Sequence, residues 1–258
     1  MDPHSSWFVF FPGHDQLLAF LRDSALILGE DTAEFRNAKI VVQHLIGAVC
    51  VLVFLLLGAA RSSSYFKSTP VPTRKFGLVL VYDAILGVAA GMCKDLIGTE
   101  EWKRYFPLIS TLGLFILFSN LMGLIPGFVP PTDNLETTAV CAVIVFVYYW
   151  YHSIRRNGWG PFIHMANPAG LGWTWVMAPF MFAIEAIGHL ARPVSLALRL
   201  RGNMVGDHAV IAAFAGIIPV LLPLPFMVMG LLVCTLQAYV FCMLTSIYIG
   251  MGVEHAEH

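Results

Sequence analysis

Residues 40–60 read IVVQHLIGAVCVLVFLLLGAA, a run without one Asp, Glu, Lys or Arg. A helix needs about 20 apolar residues to cross the roughly 30 Å hydrocarbon core of a bilayer. Stretches of that kind recur along the chain, and they decide its class. Hydrophobic residues make up 58% and charged residues 12% of the 258, against roughly 45–50% and 25% in soluble domains. A soluble globular domain and a disordered chain are excluded. Lys plus Arg number 15 and Asp plus Glu 16, a net charge of -1, so the basic footprint of a nucleic-acid binder is missing. The reading is an all-α polytopic membrane protein.

Four segments follow. Residues 1–39 carry six acids against three bases, show no cleavable signal pattern, and form an N-terminal extracytoplasmic segment. Trp7, Phe8, Phe10 and Phe11 there suit either an interface contact or a small packed cap. Residues 40–104 hold the first span, about 40–60, and then a basic loop with Arg61, Lys67, Arg74 and Lys75, stiffened by Pro70 and Pro72. Within 76–98, Asp83, Gly87, Gly91, Lys94 and Asp95 recur at helical spacing, which predicts an interfacial amphipathic helix. Residues 105–160 form a transmembrane hairpin. Its first arm stops at Pro126-Gly127, and its second, about 137–152, ends in an aromatic belt, Tyr148 to Tyr151.

Residues 161–258 differ. From 172 to 218 only Pro179 and Pro193 interrupt a helix-like sequence. That is about 70 Å of helix, more than twice the membrane core. A second stretch, 221–252, is also too long for an upright span. We expect two long, strongly tilted helices packed as a hairpin and joined near Pro219–Pro225. The total is about five membrane helices plus the interfacial one.

Charge orients the chain. Segment 61–104 holds seven of the fifteen Lys and Arg, and 153–160 holds two; the turn 126–136 holds none and carries Asp133 and Glu136. The positive-inside rule then puts the N-terminus outside the cytoplasm and the C-terminus, VEHAEH, within it. Cys50, Cys93, Cys141, Cys234 and Cys242 have no C-x-x-C or Cys/His zinc spacing, so they read as separate buried thiols. No cofactor or metal is expected.

The informative stretch is IEAIGHLARPVSLALRLRGNMVGDH, residues 184–208. Glu185, Arg192 and Arg199 are seven apart, and His189, Leu196 and Asn203 fall at the i+4 positions of the same stripe. An ionised group at the bilayer centre costs about 2.5–3.5 kcal/mol on the mildest scale and survives by pairing or by lining a wet cavity. For Glu185, His189 and Arg192, internal pairing is one reading and a proton path the other. Arg199 has no acid within four residues, so its counter-charge comes from elsewhere. Arg201 points away and snorkels. Asp207 and His208 continue the polar run, and His208 is either a proton relay, with a pKa near neutrality, or a hydrogen-bonded helix-end histidine. Pro193 frees a carbonyl near His189. Gln237, the strongly polar side chain midway along the last helix, needs a partner, and the stripe is the obvious one. Gly202, Gly206, Ala209, Ala213 and Gly216 read as sites of close helix packing.

These residues resemble a family. ARPVSLALRLRGNM (191–204) and TLQAYVFCMLTSIYI (235–249) look like subunit a of the F-type ATP synthase, bacterial type, and FPLISTLGLFILFSNLMGLIPGFVPPT (106–132) is similar to its N-x-x-G-L-x-P-G segment. The resemblance covers about 105–253. It implies that Arg199 is the essential arginine and that Glu185, Asn203 and Gln237 are the helix acid, the asparagine and the second-helix glutamine. It puts His208 where relatives carry an acid or histidine, and Gly230 where some carry a second-helix His or Glu, with Asp207 as a substitute. Arg192 stands where many relatives have Lys.

The resemblance further implies a non-catalytic stator subunit of the membrane Fo sector, set against a c-ring of small carboxyl-bearing hairpins and held by the subunit b stalk and the remainder of the complex. Its place is the bacterial inner membrane. Protons enter by an outward half-channel near His208, Asn203 and Gln237, and leave by a cytoplasmic one near Glu185 and His189. A free-standing ion channel or secondary transporter is the rival, although internal span repeats are missing. A membrane enzyme finds no H-E-x-x-H, G-x-S-x-G or acidic D-x-x-D cluster in the spans.

Overall fold

A computed structural model describes residues 16, 33–68, 78–98, 101–125, 128–158, 160, 178–215 and 223–254. The expectations for Trp7 to Phe11, for Pro70 to Lys75, for Pro126-Gly127, Gly216 and Pro219, and for the last four residues lie outside these. Six long helices run through the described residues: α1 (Ala33–Ser68), α2 (Leu78–Ile97), α3 (Trp102–Gly123), α4 (Leu135–Asn157), α5 (Ala178–Ala215) and α6 (Pro223–Glu254). A short 3-10 turn, Pro131–Asp133, joins α3 to α4. No strand occurs among the described residues.

Five helices are long and apolar enough to cross a membrane: Gln43–Ala60, Trp102–Gly123, Leu135–Arg156, Ala178–Ile211 and Leu224–Gly252. Their apolar side chains face outward, with Leu56 69%, Ile187 66% and Val228 65% exposed. In α1 the order is inverted relative to a soluble helix, since Gln43 and His44 are buried while Leu52, Val53 and Leu57 are exposed. That distribution belongs in lipid. The protein is a multi-pass membrane protein.

Helix α2 is not among the five. Its outward stripe is Asp83, Gly87, Gly91, Lys94 and Asp95, all exposed, as the spacing predicts. Its inward face carries Tyr82, Ala89, Cys93 and Ile97. It lies antiparallel along α3, with Tyr82 stacked on Phe118 at 5.8 Å and Ile97 beside Tyr105 and Ile109.

Local chemistry sets the boundaries of α4. The Asn134 side chain accepts from the Glu136 amide at 3.1 Å, capping the helix start. Gly158 ends it at φ 57 and donates its N–H to the Ile154 carbonyl, a left-handed stop that glycine adopts freely. Pro193 lies inside α5 without breaking it. At about 1.5 Å per residue, the 38 residues of α5 and 32 of α6 exceed an upright crossing of about 30 Å.

Helices α3, α4, α5 and α6 alternate in direction. Arg156 pairs with Glu101, His208 meets the Gly123 carbonyl, and Tyr149 meets His189. One end of the bundle therefore carries the exposed Lys94, Lys103, Arg104, Arg155 and Arg156, and the other Asp133 and Glu136.

Lipid is as apolar as leucine, so close packing holds such helices together rather than a drive out of water. The glycines predicted for this role are not the ones that fill it. Gly202 and Gly206 have nothing within 4 Å of a β-carbon position, and Ala209 and Ala213 are exposed. Close approaches include Gly58 against Tyr82, Gly113 against Cys242, Gly250 against the Leu96 carbonyl, and Gly252 against Tyr149. All five cysteines are free, four of them buried.

In Gly250→Ala the new methyl meets a main-chain oxygen that cannot turn aside. We expect a loss of about 1–3 kcal/mol, read as a lower melting midpoint of the purified protein. Gly91→Ala, with open space around it, should leave the midpoint nearly unchanged. Equal midpoints for the two variants would refute this packing.

Candidate functional site

Polar side chains gather at two levels of α5. Toward the acidic end, the Asn203 amide donates to Gln237 Oε1 at 2.8 Å, tying α5 to α6. Gln237 is buried, and its Nε2 has no partner among the described residues. One turn further, His208 Nε2 lies 3.1 Å from the Gly123 carbonyl at the end of α3. The ring therefore donates there. The neighbouring Asp207 turns to α6. Its Oδ2 is buried without a partner among the described residues, and a β-carbon on Gly230 would stand 3.7 Å from it. Gly230 and the Asp207 carboxyl thus face each other.

Toward the basic end, His189 Nε2 lies 3.6 Å from Glu185 Oε1. Its Nδ1 lies 3.4 Å from Arg192 Nη1 and 3.4 Å from the Tyr149 hydroxyl. Arg192 sits over the Tyr248 ring, 5.1 Å from its centroid, a cation–π contact. The Glu185 side chain stays 45% exposed, open to the surroundings.

Between the two levels the described residues pack into an apolar layer. Leu196, Ala197 and Leu200 of α5 are buried with Ile116 and Leu117 of α3, Cys141, Ala142 and Val145 of α4, and Ala238 and Phe241 of α6. Within that layer no side chain donates or accepts a proton readily. The charged groups of α5 at this height are Arg199 and Arg201. Arg199 lies nearer the stripe. It is exposed and makes no ion pair or hydrogen bond among the described residues.

The stripe is therefore less uniform than a single face. A straight helix falls about 20° behind a seven-residue repeat with each step. Glu185, Arg192 and Arg199 drift progressively away from the packed side, while His189 and Leu196 turn into it. Arg199 ends on the outer surface beside Gly188, Ser195, Gly202 and Gly206, all exposed. Arg201 is exposed as well.

The family model described as ATP synthase A chain matches residues 41–250. The chain belongs to this family. ATP synthase subunit a of Sorangium cellulosum is 37% identical over 233 residues, 90% of this chain and 88% of its relative. That of Geobacter sulfurreducens is 45% identical over 206 residues, 80% and 85% of the two chains. That of Citrifermentans bemidjiense is 48% identical over 180 residues, 70% and 76%. As a member of the subunit a family, the chain is a non-catalytic part of ATP synthase whose general role is proton translocation.

Two residues of the subunit's inner cluster were not singled out in the sequence. Tyr149 reads as a belt aromatic and Tyr248 as an ordinary helix residue, because contacts across helices leave no periodic trace. Only the pairing of Gln237 with the stripe was legible, from the rarity of a mid-span amide. For that pair, Gln237→Leu strands the Asn203 amide, at a cost of about 1–3 kcal/mol. The double variant with Asn203→Leu should lose less stability than the two singles combined. Thermal unfolding in detergent measures this, and strict additivity would contradict the bond.

Proposed function

We propose that this subunit is the stationary half of a proton path, with Arg199 as its divider and the two polar levels of α5 as its half-channels. The observation that carries the reading is the apolar layer around Leu196, Leu200 and Phe241, with an arginine outside it that has no partner among the described residues. A proton arriving at Asp207 and His208 cannot continue through the interior. It must leave the helix pair, ride on a carrier that passes Arg199, and return at Glu185. A free-standing channel needs the interior route that this layer closes.

Arginine suits the divider because its pKa lies above about 12, so it cannot itself pass a proton. Its fixed charge favours the ionised form of a passing carboxyl. At about 4 Å and an effective dielectric near 20 the attraction is about 4 kcal/mol, close to three pKa units. That is enough to strip a proton and small enough to be exchanged thermally. A proton crossing 100 mV gains about 2.3 kcal/mol, so several crossings serve each ATP.

The carrier is a ring of subunit c hairpins, each with one membrane carboxyl, against which the outer face of α5 packs; exposed Gly202 and Gly206 leave room for it. Subunit b and the rest of the complex hold the stator still. The outward half runs past Asp207 and His208 to Asn203 and Gln237, with Asp207 standing in for the group that Gly230 lacks. The inward half runs by Glu185 and His189, flanked by Arg192. The subunit sits in the bacterial inner membrane. The basic end of the bundle faces the cytoplasm by the positive-inside rule, with the C-terminus there and the N-terminus outside.

In Arg199→Ala, ATP-driven proton pumping in inverted vesicles should fall to the background of vesicles lacking the complex. Normal coupled pumping would overturn the reading. In Asp207→Asn, which keeps the shape but cannot ionise, pumping should slow severalfold. A rate equal to the parent would remove Asp207 from the outward half.

A further inference from the structure

Tyr149 is buried at 9% exposure on α4, turned away from any interface. Its ring stacks on His189, 5.9 Å between centroids and 14° from parallel, and its hydroxyl lies 3.4 Å from Nδ1. Trp150 closes on the same imidazole, 5.4 Å away at 59°. The polar or charged groups facing this ring among the described residues are Glu185 and Arg192 from α5 and Tyr149 and Trp150 from α4. From α6, Tyr248 acts through Arg192.

The bond pattern fixes the imidazole. A guanidinium only donates, so Arg192 Nη1, 3.4 Å from Nδ1, needs a lone pair there. With that lone pair in place, the Tyr149 hydroxyl, 3.4 Å from the same nitrogen, donates to it as well. The imidazole hydrogen is then on Nε2, the nitrogen 3.6 Å from Glu185 Oε1. Stacking holds the ring plane with Nε2 on the Glu185 side.

We propose that Tyr149 is a positioning residue for the inward half-path: from α4 it sets the tautomer and the plane of His189, and through them the Glu185 carboxylate. This rests on the reading that Glu185 carries protons toward the basic end. Without the hydroxyl, Arg192 alone holds Nδ1. One long contact then holds the lone pair where two did, so the Nδ1–H form gains population and the hydrogen on the Glu185 side is lost in that fraction.

The test uses the whole complex in vesicles, with imidazole nitrogens labelled by 15N and the His189 signals identified by their loss in His189→Gln. The parent should show His189 as the neutral Nε2–H tautomer; an Nδ1–H form there would overturn the proposal before any change at Tyr149. Tyr149→Phe keeps the stacked ring and should give mixed tautomers with a severalfold slower proton flux. In a His189→Gln background the same change should slow flux no further. An unaltered tautomer, or a loss that multiplies with that of His189→Gln, would make Tyr149 a packing residue only. Flux that survives Arg199→Ala refutes the path itself, whereas Arg199-dependent flux indifferent to Tyr149 refutes this step alone.

Discussion

A guanidinium without a partner, at the height of an apolar core, is the constraint from which the rest of the subunit's architecture follows. Charge in such surroundings is costly, by about 2.5–3.5 kcal/mol on the mildest scale, and a chain could lower that cost by supplying an acid of its own. Here the nearest acids on α5 are spent otherwise. Glu185 faces His189, and Asp207 faces Gly230 across the helix pair. Arg192 shows the contrast, since it is held by Tyr248 and His189. One arginine of the pair is satisfied within the chain, and the other is left for something outside it.

The remaining helices are arranged around that asymmetry. Helix α3 lies behind the α5–α6 pair and supplies Ile116 and Leu117 to the layer and the Gly123 carbonyl to His208. Helix α4 supplies Cys141, Ala142 and Val145 to the same layer and Tyr149 to the inward cluster. Helices α1 and α2 flank α3, through Tyr82, Phe118, Val51 and Leu55. Among the described residues the framework lies on one side of α5, and Arg199 emerges on the other.

Much of this is written in the sequence. Apolar runs about the length of a bilayer crossing mark the spans, and the polar spacing of Asp83 to Asp95 marks α2 as amphipathic. Charge within an otherwise apolar span, in 184–208, marks the site. The pairing of Gln237 with the α5 stripe follows from the isolation of one amide. Most other relations across helices could not be read. A heptad repeat places Glu185, Arg192 and Arg199 together, but only the packing of α5 decides which part of the stripe is inside. The small drift per repeat then separates a buried His189 from an exposed Arg199. The glycines failed as a guide for the same reason. A small residue permits close approach without requiring it, so Gly202 and Gly206 look like packing sites in one dimension and lie open in three. Tyr149 carries no signal at all, because an aromatic near the end of a span satisfies the belt rule whether it faces headgroups or a histidine.

The apolar layer has a second consequence. The same side chains that deny protons an internal shortcut also make the subunit an electrical insulator, and a membrane keeps its voltage only if every protein in it does so. A polar side chain at Leu200 or Phe241 would admit a thread of water between the two levels. The protein would then be a shunt, draining the gradient as heat while every residue that handles protons remained in place.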